Sequence, residues 1–155
     1  GKLPVTFYAS DADLPDFGDY DMPAHTYRYF KGKPRFPFGH GLSFSDFKYR
    51  RAKYRNGVLR IPVKNVSKID GEEVVQVYIK KADDVDGPIM SLRGFKRVTV
   101  KAGKKAVVEI PMSAENIDLF NPETGKMEAA PGKYIVYYGG TSDITKLRKL
   151  KITIR

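Results

Sequence analysis

The sequence predicts an all-β fold, a two-sheet antiparallel sandwich preceded by an irregular amino-terminal segment. Apolar residues recur at every second position from about residue 47 to the end, so each strand has one buried and one wet face. Turn dipeptides interrupt the alternation at short intervals, as they do in sandwiches. Residues 1–44 show neither pattern, yet they hold ten aromatic residues and five of the chain's 10 prolines.

The strands read in order. Phe47 and Tyr49 alternate with Lys48 and Arg50; Leu59, Ile61 and Val63 alternate with Arg60, Pro62 and Lys64. Between these runs Asn56-Gly57 marks a hairpin, because both residues tolerate positive φ. Val75, Val77 and Ile79 share a face opposite Gln76, Tyr78 and Lys80. Val98 and Val100 follow, then Ala106, Val108, Ile110 and Met112. Tyr134, Val136 and Tyr138 form the next run, and Leu150, Ile152 and Ile154 the last. Asp70-Gly71, Asp86-Gly87-Pro88, Ala102-Gly103, residues 122–125 and Pro131-Gly132 supply the breaks. This gives seven strands, with one helical turn expected over 113–118.

Composition narrows the classes. The 155 residues are 41% hydrophobic, enough for one packed core. With no cysteine, neither a disulfide framework nor a thiolate zinc site can form. No run approaches the roughly 20 apolar residues of a membrane-spanning helix, and no membrane partner is expected. The formal charge of +10 raises the question of nucleic acid. Much of the excess lies in 48–55 and 146–155, where cations alternate with apolar residues at strand spacing. That is the wet face of a sheet, so nucleic acid is not an expected partner. The opening Gly1-Lys2-Leu3-Pro4 reads as the middle of a longer chain.

Residues that bear chemistry are few. Asp11, Asp13, Asp16, Asp19 and Asp21 are mixed with Gly and Pro, the composition of loops. Asp84-Val85-Asp86-Gly87 has part of a calcium-loop pattern but lacks its third oxygen position and distant glutamate. His25 and His40 stand apart without ligand spacing. Tyr134, Tyr137 and Tyr138 could stack on sugars, but they share one strand, so some must face the core. No catalytic, cofactor-binding or metal-binding residue is assigned, and no cofactor is expected. A stand-alone carbohydrate-binding or protein-interaction sandwich is the competing reading.

Several motifs carry a family resemblance. Residues 36–44, Phe-Pro-Phe-Gly-His-Gly-Leu-Ser-Phe, resemble the signature preceding the last domain of family 3 glycoside hydrolases. Gly1 to Phe7 is similar to a strand near the end of that family's second, α/β domain. Leu14-Pro15-Asp16-Phe17 and Thr26-Tyr27-Arg28-Tyr29-Phe30 resemble a stretch of its β-xylosidase branch, which often has Arg where this chain has His25. Downstream, Val63-Lys64-Asn65-Val66, residues 71–78, Leu92-Arg93-Gly94-Phe95-Lys96-Arg97-Val98 and Pro131-Gly132-Lys133-Tyr134 resemble motifs of its last domain.

The resemblance implies an immunoglobulin/fibronectin type III-like sandwich over 45–155, with 1–44 as the tail of the α/β domain and a linker. It implies a parent enzyme that is exo-acting and retaining, β-xylosidase before β-glucosidase, and periplasmic or secreted. Its nucleophilic Asp and its acid/base Glu would lie in earlier domains. Ser45-Asp46-Phe47 is superficially like the nucleophile motif but opens the first strand. The fragment alone is therefore expected to be inactive. Its expected partners are the parent's catalytic domains and, through them, an oligosaccharide, with self-association through 1–44. Residues 1 to about 30 are expected to be mobile, or ordered only through contact with another chain, and 36–44 to dock on the sandwich. Phe95, after Gly94, is expected to anchor in the core.

Overall fold

The computed structural model describes residues 1–19, 25–113, 117–121, 123–129 and 131–154. Its strands are β1 (Phe47–Tyr49), β2 (Lys53–Arg55), β3 (Val58–Asn65), β4 (Gly71–Lys81), β5 (Ser91–Val100), β6 (Lys105–Pro111), β7 (Asp118–Asn121), β8 (Lys126–Ala129), β9 (Gly132–Gly139) and β10 (Arg148–Ile154). Among the described residues a 3-10 turn (Asp11–Asp13) and one short α-helix, α1 (Thr26–Tyr29), precede them. All strand pairs are antiparallel.

In the first sheet β1 and β2 pair in turn with one side of β3, and β6 pairs with the other. The second runs β10-β9-β4-β5. Leu59, Ile61 and Val63 of β3 face Val75, Val77 and Ile79 of β4 in one core, which Tyr134, Val136 and Tyr138 extend. These are the positions that the period-two pattern selects. Asn56 and Gly57 have φ of 52° and 71°, the two positive values a type I′ turn needs, and they close the β2–β3 hairpin as expected. The Tyr138 hydroxyl ties the sheets together: it accepts from Ala52 N–H at 3.0 Å and donates to Arg50 C=O at 3.1 Å. It thereby satisfies backbone groups where the edge breaks between β1 and β2.

Several expectations need correction. Among the described residues there are ten strands, not seven. β2 belongs to a hairpin too short for periodicity, and β7 and β8 form a separate two-stranded ribbon. β5 begins at Ser91, seven residues before the alternation is visible. A register shift opposite Val77/Tyr78 breaks the pattern there. Phe95 is no core anchor: it sits opposite Gln76 and is 67% exposed. Of the helical turn expected over 113–118, residues 114–116 lie outside the described residues, while Asp118 already belongs to β7.

The largest departure concerns β4. Its alternation predicts a wet outer face, yet Gln76 is only 3% exposed and Tyr78 is fully buried. The amino-terminal segment covers that face. Leu3 and Gly39–His40 exchange backbone hydrogen bonds of 2.8 Å, and Phe7 pairs with Phe36. Tyr27 stacks on Phe38 at 4.4 Å, and both rings meet Tyr78 edge-on. Residues 1–8 and 25–30 are thus docked on the sandwich, contrary to the expectation that they are mobile or need another chain. The expected docking of 36–44 holds only through Gly41. Leu42 and Phe44 are 92% and 98% exposed.

Candidate functional site

Two features stand out where the amino-terminal segment meets the second sheet. The first is a polar clamp. Gln76 points outward from β4 and donates through Nε2 to Gly39 C=O (3.1 Å) and Gly140 C=O (2.9 Å), while its Oε1 accepts from the Tyr78 hydroxyl. Gly39 holds φ at +74°, and a Cβ there would overlap the Gln76 amide, so only glycine fits. Close by, Lys2 Nζ donates to Gly140 C=O at 2.9 Å and lies 3.4 Å from Glu73 Oε1. The same Glu73 oxygen accepts from Tyr49 OH at 2.9 Å. Burial, reinforced by Glu73, drives the Tyr49 phenol far above its ordinary range. Burial, then the neighbouring Tyr27, does the same to Tyr78. Both phenols stay protonated donors through any physiological pH.

The second feature is a groove of about 630 Å³. Residues 30–37 form one side, the β9–β10 turn (142–146) the other, and Thr6, Tyr27, His40, Ile89 and Met90 complete it. Asp143 sits in the turn. Burial alone would raise its carboxyl, but the Thr145 hydroxyl (2.6 Å) and N–H (3.1 Å) and the Lys146 ammonium outweigh that and hold it below the usual range. Asp143 is therefore already occupied within the turn. Lys31, Lys33 and Arg35 project from the opposite side and form no ion pair among the described residues.

The residues that the sequence singled out are dispersed. Ser45 opens the sandwich, its hydroxyl 3.3–3.4 Å from the carbonyls of Ile69 and Asp70, and Asp46 N–H donates to Ser67 Oγ at 2.7 Å. Asp13 caps Ser10, and Asp16 lies 3.5 Å from Gly18 N–H, a loop role in each case. Asp21 is outside the described residues. His25 contacts Asp19 C=O at 3.1 Å, and the His40 ring lies 5.2 Å from Phe36. Among the described residues no group of three or more His, Asp or Glu could hold a metal ion. Lys2, Tyr49, Glu73 and Gln76 were not singled out. The one signal was a glutamine and a tyrosine interleaved with the valines of β4, which a solvated face explains equally well.

The fold defines a class. Residues 73–142 match the fibronectin type III-like domain family. The chain is 44% identical over 99% of its length to a xylan 1,4-β-xylosidase of Xylanibacter ruminicola, covering 18% of that protein. It is 31% identical over its whole length to a β-xylosidase of Formosa agariphila, covering 22% of it. The solved GH3 β-glucosidase of Bifidobacterium adolescentis superposes with a TM-score of 0.82 at 25% identity, over 99% of this chain and 26% of that one. The chain carries a fibronectin type III-like domain over 73–142 and is a module of the kind found in family 3 glycosidases. It spans about a fifth of the length of the curated relatives it matches.

Proposed function

We propose that the chain is the carboxy-terminal structural module of an exo-acting, retaining β-glycosidase, more a β-xylosidase than a β-glucosidase. The enzyme would remove terminal β-linked sugars, and the catalytic carboxylates would lie in domains that precede this chain. The observation that carries the reading is the match over nearly the whole chain, at 44% identity, to under a fifth of a xylan 1,4-β-xylosidase. Its preference for xylosides rests on the 44% identity to one xylosidase over 99% of the chain, against 36% to a β-glucosidase over 81% of it.

In this reading residues 1–44 are the tail of the preceding domain and 45–155 the sandwich. The clamp through Gln76, Tyr78 and Lys2 fastens the one to the other. Exposed Leu42, Phe44 and Phe17 supply apolar contacts to the catalytic domains. The isolated chain should then leave aryl β-xylosides and β-glucosides intact. Turnover that survives repurification and is lost in Asp46→Asn would overturn the proposal.

A further inference from the structure

We propose that the groove between residues 30–37 and the β9–β10 turn is a binding site for an oligosaccharide that carries a uronic acid. The choice of a sugar rests on the preceding reading; the choice of an acidic one rests on the groove itself. Its volume, about 630 Å³, falls within the range of small-ligand clefts, which bury most of a ligand against apolar and aromatic walls with a few polar groups.

The aromatic component comes from Tyr27, Phe30 and Phe36, with Phe36 partly open to solvent. Such rings suit the C–H face of a pyranose. The charge is one-sided. Lys31, Lys33 and Arg35 alternate along one lip, all exposed and without a carboxylate partner among the described residues. The groove's acidic group, Asp143, is held by Thr145 and Lys146 and so does not neutralise the opposite lip. A ligand with one anionic ring and neutral neighbours meets both components: its carboxylate bridges the lip cations, Arg35 by a paired-donor contact, and the adjoining sugar rests on the rings. A neutral oligosaccharide would use only the rings.

The test is calorimetric titration of the chain with xylotriose, with xylotriose bearing one glucuronic acid branch, and with glutarate as an acid lacking a sugar. Amide chemical shifts recorded in parallel locate the ligand. The branched acidic sugar should bind at least about tenfold tighter than xylotriose, weaken with added salt, and shift the amides of Gly32 and Thr145. Lys33→Glu with Arg35→Glu should abolish the tenfold preference while leaving thermal unfolding unchanged, since both side chains are exposed. Equal affinity for the acidic and neutral sugars, glutarate binding as tight as the sugar, or shifts confined to other faces would each overturn the site. Because turnover is not measured, these outcomes are independent of the test of the structural-module reading.

Discussion

Replacing Gly39 with alanine should be among the most damaging single-methyl changes in the segment that covers the second sheet. The residue holds φ at +74°, and a side chain in that region costs about 1–2 kcal/mol. The new Cβ would overlap the amide of Gln76. That amide cannot swing away, because it is buried and tied to Gly39, Gly140 and Tyr78. Breaking two of these contacts adds about 2–6 kcal/mol, since each buried polar group left without a partner costs about 1–3 kcal/mol. Gly103 is a matched control: its φ is +68°, but a Cβ there meets nothing within 4 Å. Gly103→Ala should therefore show the backbone strain alone. With a urea slope of about 2 kcal/mol/M, the two variants should differ in midpoint by about 1–3 M. In a Gln76→Ala background the cost of Gly39→Ala should fall to that of Gly103→Ala. Unfolding free energies for the two glycine variants that agree within about 0.5 kcal/mol would refute the claim that this contact fastens the segment to β4.

Other consequences can be measured on the same protein. Tyr49 and Tyr78 titrate higher when folded than when unfolded, so their contribution is complete below about pH 10 and declines as pH rises beyond it. Each phenol held protonated should lower stability by about 1.4 kcal/mol per pH unit above pH 10. Tyr49→Phe should reduce that alkaline slope; urea midpoints that stay flat between about pH 9 and 11 would contradict it. Tyr138→Phe removes the hydroxyl shared by Ala52 N–H and Arg50 C=O and should cost about 1–3 kcal/mol. Thermal unfolding checks this as a drop of several degrees; an unchanged midpoint would mean that water replaces the hydroxyl at the broken edge.

The inner faces of the strands were legible because alternation and burial are linked by strand geometry. Leu59, Ile61, Val63, Tyr134, Val136 and Ile152 fall where period two puts them. Asn56-Gly57 was legible because few dipeptides accept two positive φ values. The outer face of β4 was not. Alternation tells which side chains share a face and is silent on what covers it, so Gln76 and Tyr78 read as solvated. The clamp was hidden for the same reason: Lys2 and Glu73 are 71 residues apart in the chain. The motif resemblance located residues 36–44 as a junction, yet Leu42 and Phe44 differ from Phe38 only in what lies beside them. The groove joins two loops, and loops carry no period to read.

Coverage of both faces of β4 changes how the chain can vary. On β3 the wet positions Arg60 and Lys64 give every second site latitude, since surface substitutions are usually near neutral. Five consecutive residues of β4, Val75 to Ile79, have no such latitude. A mutational scan should thus show alternating tolerance along β3 and an unbroken intolerant block along β4. The same block would hold its amide protons longest against exchange with solvent, because releasing them requires lifting the amino-terminal cover and parting two neighbouring strands at once.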